Sequence, residues 1–228
     1  MKKYLPVLKN CPLFYNVSEE KILVLLSCLG ARVESFDKRS TIFAEGSKAE
    51  YIGIVLTGKA QIIQDDYYGN RNIVSVVMPS EMLLEAFACA ELSEIPVSVV
   101  ADGQSEVMLI DCSHILHTCS NNCGFHQQLI VNLMKGLASK TLSYYQKIEF
   151  TSKRSTRDKL LAYLSYQAKL NGSPYFEIPF DRQQLADYLE VERSGLSAEI
   201  GKMQKAGLIK SRKSYFELLM QEGIAEYK

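Results

Sequence analysis

Several features are scarce in this sequence, and each scarcity removes a class of protein. No uninterrupted apolar run approaches the roughly 18 residues that a membrane span requires, so no transmembrane helix and no membrane partner is expected. The opening Met1-Lys2-Lys3-Tyr4-Leu5-Pro6 meets polar and acidic residues too soon for a secretion signal, which places the expected location in the cytoplasm. The six cysteines, Cys11, Cys28, Cys89, Cys112, Cys119 and Cys123, lack the close pairing of a disulfide framework, and cytosolic thiols stay reduced. Histidine is sparse, with three in all, and His114, His117 and His126 follow the strand-rich region. A cupin-like metalloenzyme would need two or three histidines and a carboxylate on adjacent strands, so no catalytic residue, metal site or cofactor is assigned. Net charge is absent too, since 26 basic side chains balance 26 acidic ones. That balance argues against indiscriminate binding to nucleic acid.

The 228 residues, 47% hydrophobic and 23% charged, leave room for two modest domains with cores of their own. The balanced charge hides a gradient: 13 basic against 10 acidic residues from Phe150 onward, and 13 against 16 before it. The basic excess at the C-terminal end points to a nucleic-acid face there. Residues Val17 to Leu29 have helical periodicity, with Ser18 as N-cap before Ile22, Leu25, Leu26 and Leu29. From Ala31 to Ile110, short β-branched and aromatic runs alternate with turns such as Glu45-Gly46-Ser47, Thr57-Gly58-Lys59 and Tyr68-Gly69-Asn70. Six strands are predicted, at 41–43, 51–56, 60–64, 73–78, 97–101 and 106–111, in an antiparallel sandwich or jelly roll.

A proline-free helix follows from about Phe125 to Ile148. Ile130, Met134, Leu137, Thr141, Tyr144 and Ile148 recur in alternating steps of four and three, an a/d seam over nearly three heptads. One reading packs this helix on its own sandwich. The other makes the seam a homodimer interface, because one sandwich cannot easily cover a helix roughly 35 Å long.

Thr151-Ser152-Lys153-Arg154-Ser155 reads as a polar hinge, and a helix over 156–170 ends at Asn171-Gly172-Ser173-Pro174. After a short strand at 175–179, Asp181 and Gln184 form a capping-box pair opening a helix that buries Leu185, Ala186 and Leu189. Glu190-Val191-Glu192 is a turn. A second helix begins near Arg193, buries Leu196, Ile200 and Met203, and stops at Ala206-Gly207. Residues 208–218, with Arg212 and Lys213 at the tip, make a short hairpin. Helix, turn, helix and basic hairpin is the winged helix-turn-helix pattern, whose second helix fits the DNA major groove. Two amphipathic helices merely packed together, or a protein-interaction module, would account for the pair without the basic wing. Gly195 and Gly201 each cost about 1 kcal/mol of helix propensity relative to alanine, which a close approach to the first helix or to DNA would explain.

Taken together, the chain resembles the catabolite-activator/fumarate-nitrate-regulator (CRP/FNR) family. The resemblance is carried by Cys11-Pro12-Leu13-Phe14, Ile42-Phe43-Ala44-Glu45-Gly46, Ile52 to Gly58 and most specifically the block Phe180–Ile209, and it covers nearly the whole chain. It implies an α+β fold: a cyclic-nucleotide-binding-like sensor β-sandwich (1–124), a dimerisation helix (125–150) and a winged helix-turn-helix DNA-binding domain (151–228). It also implies a homodimer on double-stranded DNA with an inverted-repeat operator and, for an activator, RNA polymerase as partner. Arg193 falls where the family places its first base-reading arginine. Ser194 and Ala198 stand where well-known members have a glutamate and a second arginine, so a different operator is expected. Ser194 and Ser197 lie on the exposed face, and Lys202, Lys205, Arg212 and Lys213 are candidate phosphate contacts.

The sensor cassette departs from the cyclic-AMP-binding pattern. Glu85 matches the ribose-binding glutamate, but Leu84 replaces the preceding glycine, and Ile95-Pro96 stands in place of the closing arginine pair. No Arg or Lys lies between Asn72 and Met134, whereas a buried cyclic phosphate needs a charged donor. Cyclic AMP is therefore not expected. An iron–sulfur cluster would need four thiolates, and only Cys11 and Cys28 lie near the N-terminus. The grouping of Cys112, His114, His117, Cys119, Cys123 and His126 leaves open a metal, haem or redox role beside a purely structural one. The candidate effector pocket is apolar, comprising Met82, Leu83, Leu84, Glu85, Phe87, Ile95 and Val97. It suits a small, weakly polar effector, and the same residues could instead simply fill a structural sandwich.

Overall fold

A computed structural model of the chain describes residues 1–69, 71–116 and 124–219. The chain separates into two compact units, Met1–Thr141 and Leu142–Lys228. In the first, the short helix α1 (Leu5–Leu8) is followed by α2 (Glu19–Cys28). Ser18 is the N-cap of α2, but its hydroxyl makes no capping bond. Glu19 and Glu20 in the first turn supply the favourable charge at that helix end instead.

Eight strands follow: β1 (Arg32–Phe36), β2 (Thr41–Phe43), β3 (Tyr51–Thr57), β4 (Ala60–Asp65), β5 (Arg71–Val77), β6 (Met82–Leu83), β7 (Ser98–Ala101) and β8 (Ser105–Asp111). They form two antiparallel four-stranded sheets, ordered β1-β8-β3-β6 and β2-β7-β4-β5. The helix α3 (Glu85–Cys89) lies in the chain between β6 and β7, and α4 (Ser113–Leu116) follows β8. All six strands read from periodicity are present. The edge strand β1 and the two-residue β6 were not foreseen, because the first is mostly polar and the second too short to show a period.

Alternation along β3 and β8 builds two cores. Val55, Val107 and Leu109 point into a layer between the sheets with Ala60, Ile62, Leu83, Val97 and Val99. Ile52, Ile54, Leu56, Met108 and Ile110 point the other way, onto Leu8, Phe14, Ile22, Leu26, Leu129 and Leu133 from the helices. Covered on both faces, β3 is apolar at nearly every position.

The last of these helices is α5 (Gly124–Thr151). Its inner side carries Leu129, Asn132, Leu133, Gly136, Leu137 and Lys140. Asn132, almost fully buried, donates from Nδ2 to the carbonyls of Leu13 (2.9 Å) and Tyr15 (2.8 Å), satisfying two buried acceptors. A Cβ at Gly136 would stand 2.6 Å from Met82 Cε, so glycine leaves room for the end of the Met82 side chain against α5. Leu137 packs against this core. The outward stripe therefore runs through Val131, Met134, Ala138, Leu142, Tyr145 and Ile148, all exposed. Of the six seam residues, Met134, Thr141 and Ile148 are exposed, Ile130 and Tyr144 are half-buried, and Leu137 turns inward. The helix carries two apolar stripes, and a single 3.5-residue repeat read along the sequence averages them.

The second unit contains α6 (Thr156–Asn171), β9 (Tyr175–Glu177), α7 (Arg182–Leu189), α8 (Arg193–Lys205), β10 (Ile209–Arg212) and β11 (Tyr215–Leu218). Ser155 caps α6 by accepting from the Asp158 amide at 3.1 Å. Gly172, left-handed at φ 60°, closes the helix. Tyr163 centres an aromatic cluster with Phe150, Phe180 and Tyr188 at ring separations of 5.6–6.1 Å. The three short strands pair in the order β10-β11-β9.

Candidate functional site

The capping box is formed in full at the start of α7: the Gln184 amide donates to Asp181 Oδ1, and the Asp181 amide donates to Gln184 Oε1, both at 2.9 Å. Glu190 then takes a left-handed φ of 54°, which reverses the chain into α8. Leu185, Ala186 and Leu189 of α7, with Leu196, Ile200 and Met203 of α8, are buried. This leaves Arg193, Ser194, Ser197 and Ala198 exposed on the opposite side of α8.

Arg193 is the first residue of α8, and Ser194 Oγ donates to Glu192 Oε2 at 3.3 Å. Lys202 and Lys205 are exposed in the last turn, where Lys202 forms a loose pair with Glu199 at 3.5 Å. Arg212 and Lys213 stand exposed at the tip of the β10–β11 hairpin, with Lys213 left-handed at φ 55°. Every residue expected to meet DNA is thus solvent-exposed. An exposed guanidinium at a helix start can approach guanine O6 and N7, and flanking ammonium groups can meet phosphates.

Arg182 was missed. Its guanidinium lies 5.5 Å from the Phe216 ring and donates to Ser211 Oγ at 3.2 Å. Burial, helped by the nearby charge of Arg193, holds it below the usual arginine range. Two cations therefore converge where α7 and α8 begin. The sequence signal was Arg182 at the first helical position after a capping residue, but its neighbours 211 and 216 are distant in the chain.

Of the two explanations for Gly195 and Gly201, the structure removes the approach to the first helix. A Cβ at Gly195 would come no closer than 3.9 Å to Glu192 Cβ, and one at Gly201 meets nothing within 4 Å. Close packing on α7 does not explain them.

In the sandwich, the effector-pocket candidates divide between two cores. Met82 belongs to the helix-facing core. Leu83, Leu84, Ile95 and Val97 belong to the layer between the sheets, with Phe87 packed against them. Leu84 is left-handed at φ 64° although it carries a buried side chain, a conformation that costs a non-glycine residue about 1–2 kcal/mol. Glu85 begins α3 and is only 2% exposed. Lys140 of α5 donates to both its carboxylate oxygens, at 2.8 and 3.1 Å, and to the Met82 carbonyl at 2.9 Å. The cation absent from the cassette sequence is thus supplied by the long helix, and it is spent on Glu85.

The Cys/His grouping is only partly in view. His117, Cys119 and Cys123 lie outside the described residues. His126 is buried, with Nε2 3.1 Å from the His114 carbonyl, and Cys112 lies 3.7 Å from Cys89. Among the described residues no group of three or more His, Cys, Asp or Glu side chains is placed to hold a metal ion. No helix among them is long and apolar enough to cross a membrane.

The cyclic nucleotide-binding domain model matches residues 33–122, and the Crp-like helix-turn-helix domain model matches residues 158–227. Together they span well over half of the chain, in the order and place where the sandwich and the helix pair are found. The chain belongs to the CRP/FNR family. That is a family of DNA-binding transcription regulators, not of enzymes. The fold is shared with solved regulators at low identity. A CooA variant from Carboxydothermus hydrogenoformans is 14% identical with a TM-score of 0.73, covering 92% of each chain. The c-di-GMP-responsive global regulator CLP of Xanthomonas campestris is 16% identical with a TM-score of 0.72, over 87% of this chain and 100% of its own. FixK2 of Bradyrhizobium japonicum is 16% identical with a TM-score of 0.66, over 85% of this chain and 95% of its own. No curated protein matches the sequence. In this regulator the Glu85 carboxylate is paired internally with Lys140.

Proposed function

We propose that this CRP/FNR regulator binds an inverted-repeat operator as a homodimer, with α8 in the major groove of each half-site. Arg193 reads a guanine, Ser194 and Ser197 face the base edges, and Lys202, Lys205, Arg212 and Lys213 hold phosphates. The observation that carries this reading is the two-sidedness of α8: Leu196, Ile200 and Met203 are buried while Arg193, Ser194 and Ser197 are exposed. Dimerisation is supported by the exposed apolar stripe of α5, where Met134, Leu142, Tyr145 and Ile148 are each at least 60% exposed. A monomer rarely leaves such a continuous stripe in water. On this reading residues 125–150 form the dimer helix between a sensor (1–124) and a DNA-binding domain (151–228), and an activating role would bring RNA polymerase as a further partner.

The sandwich takes a small-molecule or redox signal other than cyclic AMP. In support, the Glu85 carboxylate is engaged by Lys140 and the cassette lacks an arginine for a cyclic phosphate. The test is selection from a randomised duplex library at fixed salt. An enriched inverted repeat with half-sites about one helical turn apart is the expected result, and enrichment of a single unrepeated site would refute the dimeric reading.

A further inference from the structure

The cysteine nearest the cassette has a partner that sequence spacing did not suggest. Cys89 closes α3, Cys112 directly follows β8, and their sulfurs stand 3.7 Å apart although 23 positions separate them in the chain. Cys112 is buried in the helix-facing core, while Cys89 packs against that core and is only half-buried. A disulfide needs the sulfurs to close to about 2.05 Å, a movement that side-chain rotation and a slight shift of a one-turn helix can supply. We propose that Cys89 and Cys112 are a redox pair, Cys89 meeting a peroxide and Cys112 resolving the product as an intrachain disulfide.

The two sulfurs are not equivalent. Hydrogen bonding by the Cys112 thiol holds the Cys89 thiol below its ordinary range, against burial and the nearby Glu85 charge. Cys112 is pushed up, by that same bond and by burial. The thiolate is the reactive form, so Cys89 attacks first. Its sulfur takes one peroxide oxygen, the O–O bond breaks, and hydroxide leaves, giving a sulfenic acid on Cys89. The Cys112 sulfur then attacks the Cys89 sulfur, the S–O bond breaks, and water departs with the Cys112 proton. Peroxide is reduced to water and the two thiols are oxidised to one disulfide, which an external dithiol reverses by exchange.

The consequence for control rests on the reading of the sandwich as the signal input. Cys89 sits at one end of α3 and Glu85 at the other, and Glu85 is the residue that Lys140 of α5 grips. Drawing the C-terminal end of α3 onto the end of β8 displaces the carboxylate at its start. Peroxide thereby changes how the cassette is tied to the long helix.

The test uses the full chain. Reduced protein is treated with hydrogen peroxide, quenched, alkylated under denaturing conditions and digested without reductant for peptide mapping. The expected result is loss of alkylation at Cys89 and Cys112, appearance of one peptide pair joining them, continued labelling of the exposed Cys28, and full recovery with dithiothreitol. In Cys112→Ser, which keeps a hydroxyl donor beside Cys89 but cannot form a disulfide, Cys89 should stop at the sulfenic acid and be trapped by dimedone. Both thiols still alkylated after peroxide, Cys89 joined to a different cysteine, or Cys89 driven to the sulfinic acid in wild type would each overturn the pair. Operator affinity is then compared between reduced and oxidised protein. A change of at least about fivefold, absent in Cys89→Ser, is expected, and equal affinity with the disulfide formed would overturn the regulatory role. Failure of the reduced protein to bind DNA would count against the operator reading instead, because the peptide map decides the pair by itself.

Discussion

Replacing Lys140 by methionine should damage the sandwich more than replacing Lys140 and Glu85 together. The ammonium is the cation that meets the Glu85 carboxylate, a side chain only 2% exposed, and it also satisfies the Met82 carbonyl. Removing one partner of a buried ion pair typically costs about 3–5 kcal/mol, because the other charge is stranded. An upper bound comes from the alternative of neutralising a stranded carboxylate. Protonating an ordinary glutamate at pH 7 costs about 3.7 kcal/mol. Lys140→Met is therefore expected to lose about 3 kcal/mol. In Glu85→Met/Lys140→Met no charge remains, the volumes are similar, and the loss should stay within about 1 kcal/mol of wild type. Two compact units make a single unfolding curve ambiguous, so amide hydrogen exchange is the better assay. Amides of α3 and of the sandwich-facing half of α5 should exchange on the order of 100-fold faster in the single variant, and near the wild-type rate in the double. Equal exchange in the two variants, or a single-variant cost below about 1 kcal/mol, would refute the reasoning.

Four further outcomes can be checked. Tyr163→Phe should raise the melting temperature, because the buried Tyr163 hydroxyl has no hydrogen-bond partner among the described residues and removing it relieves about 1 kcal/mol; a lower melting temperature would mean that the hydroxyl is bonded in solution. Lys147 is buried with its ammonium 3.9 Å from Glu190 Oε1 and 5.0 Å from the Tyr188 ring centroid, and burial, opposed by the Glu190 charge, pushes it down to about 8. Between that value and the usual 10.5 the unfolded chain binds more protons, so stability rises with pH by about 3 kcal/mol across the window. Lys147→Met should be more stable than wild type at pH 7, by a margin that shrinks toward pH 10 in denaturant titrations; a margin independent of pH would refute the assignment. Gly195→Ala and Gly201→Ala should each stabilise the C-terminal unit by about 0.5–1 kcal/mol, since a Cβ meets no close neighbour, and a simultaneous loss of operator affinity would place the DNA backbone against α8. Arg193→Ala should relax preference at one base pair per half-site, at a cost of about 1–3 kcal/mol, and leave melting unchanged; an unaltered selected sequence would remove Arg193 from base reading.

Much of the C-terminal unit was legible in the sequence because its signals are short in range. The Asp181–Gln184 box spans one helical turn, Gly172 needs only its own backbone angle, and the buried faces of α7 and α8 follow from a 3.6-residue period. The two cations Arg182 and Arg193 are also plain in the sequence, but not their convergence, which depends on how α7, α8 and the hairpin fold back together.

The sandwich divides in the same way. Its strongly alternating strands could be read directly, whereas polar β1 and two-residue β6 exist only because β8 and β3 offer them hydrogen-bonding partners. The stretch between Asn72 and Met134 holds no cation for the cassette, but Lys140 arrives from α5, 55 positions beyond Glu85. The outward face of α5 was likewise undecided, since the sequence supplies apolar residues on two sides and only the sandwich selects Leu133 and Leu137 for the inside. Periodicity and capping are set within a few residues and belong to the sequence by itself. The Glu85–Lys140 ion pair and the Cys89–Cys112 contact depend on strand register and on helix seating against the sheet, and the tertiary structure alone brings them together.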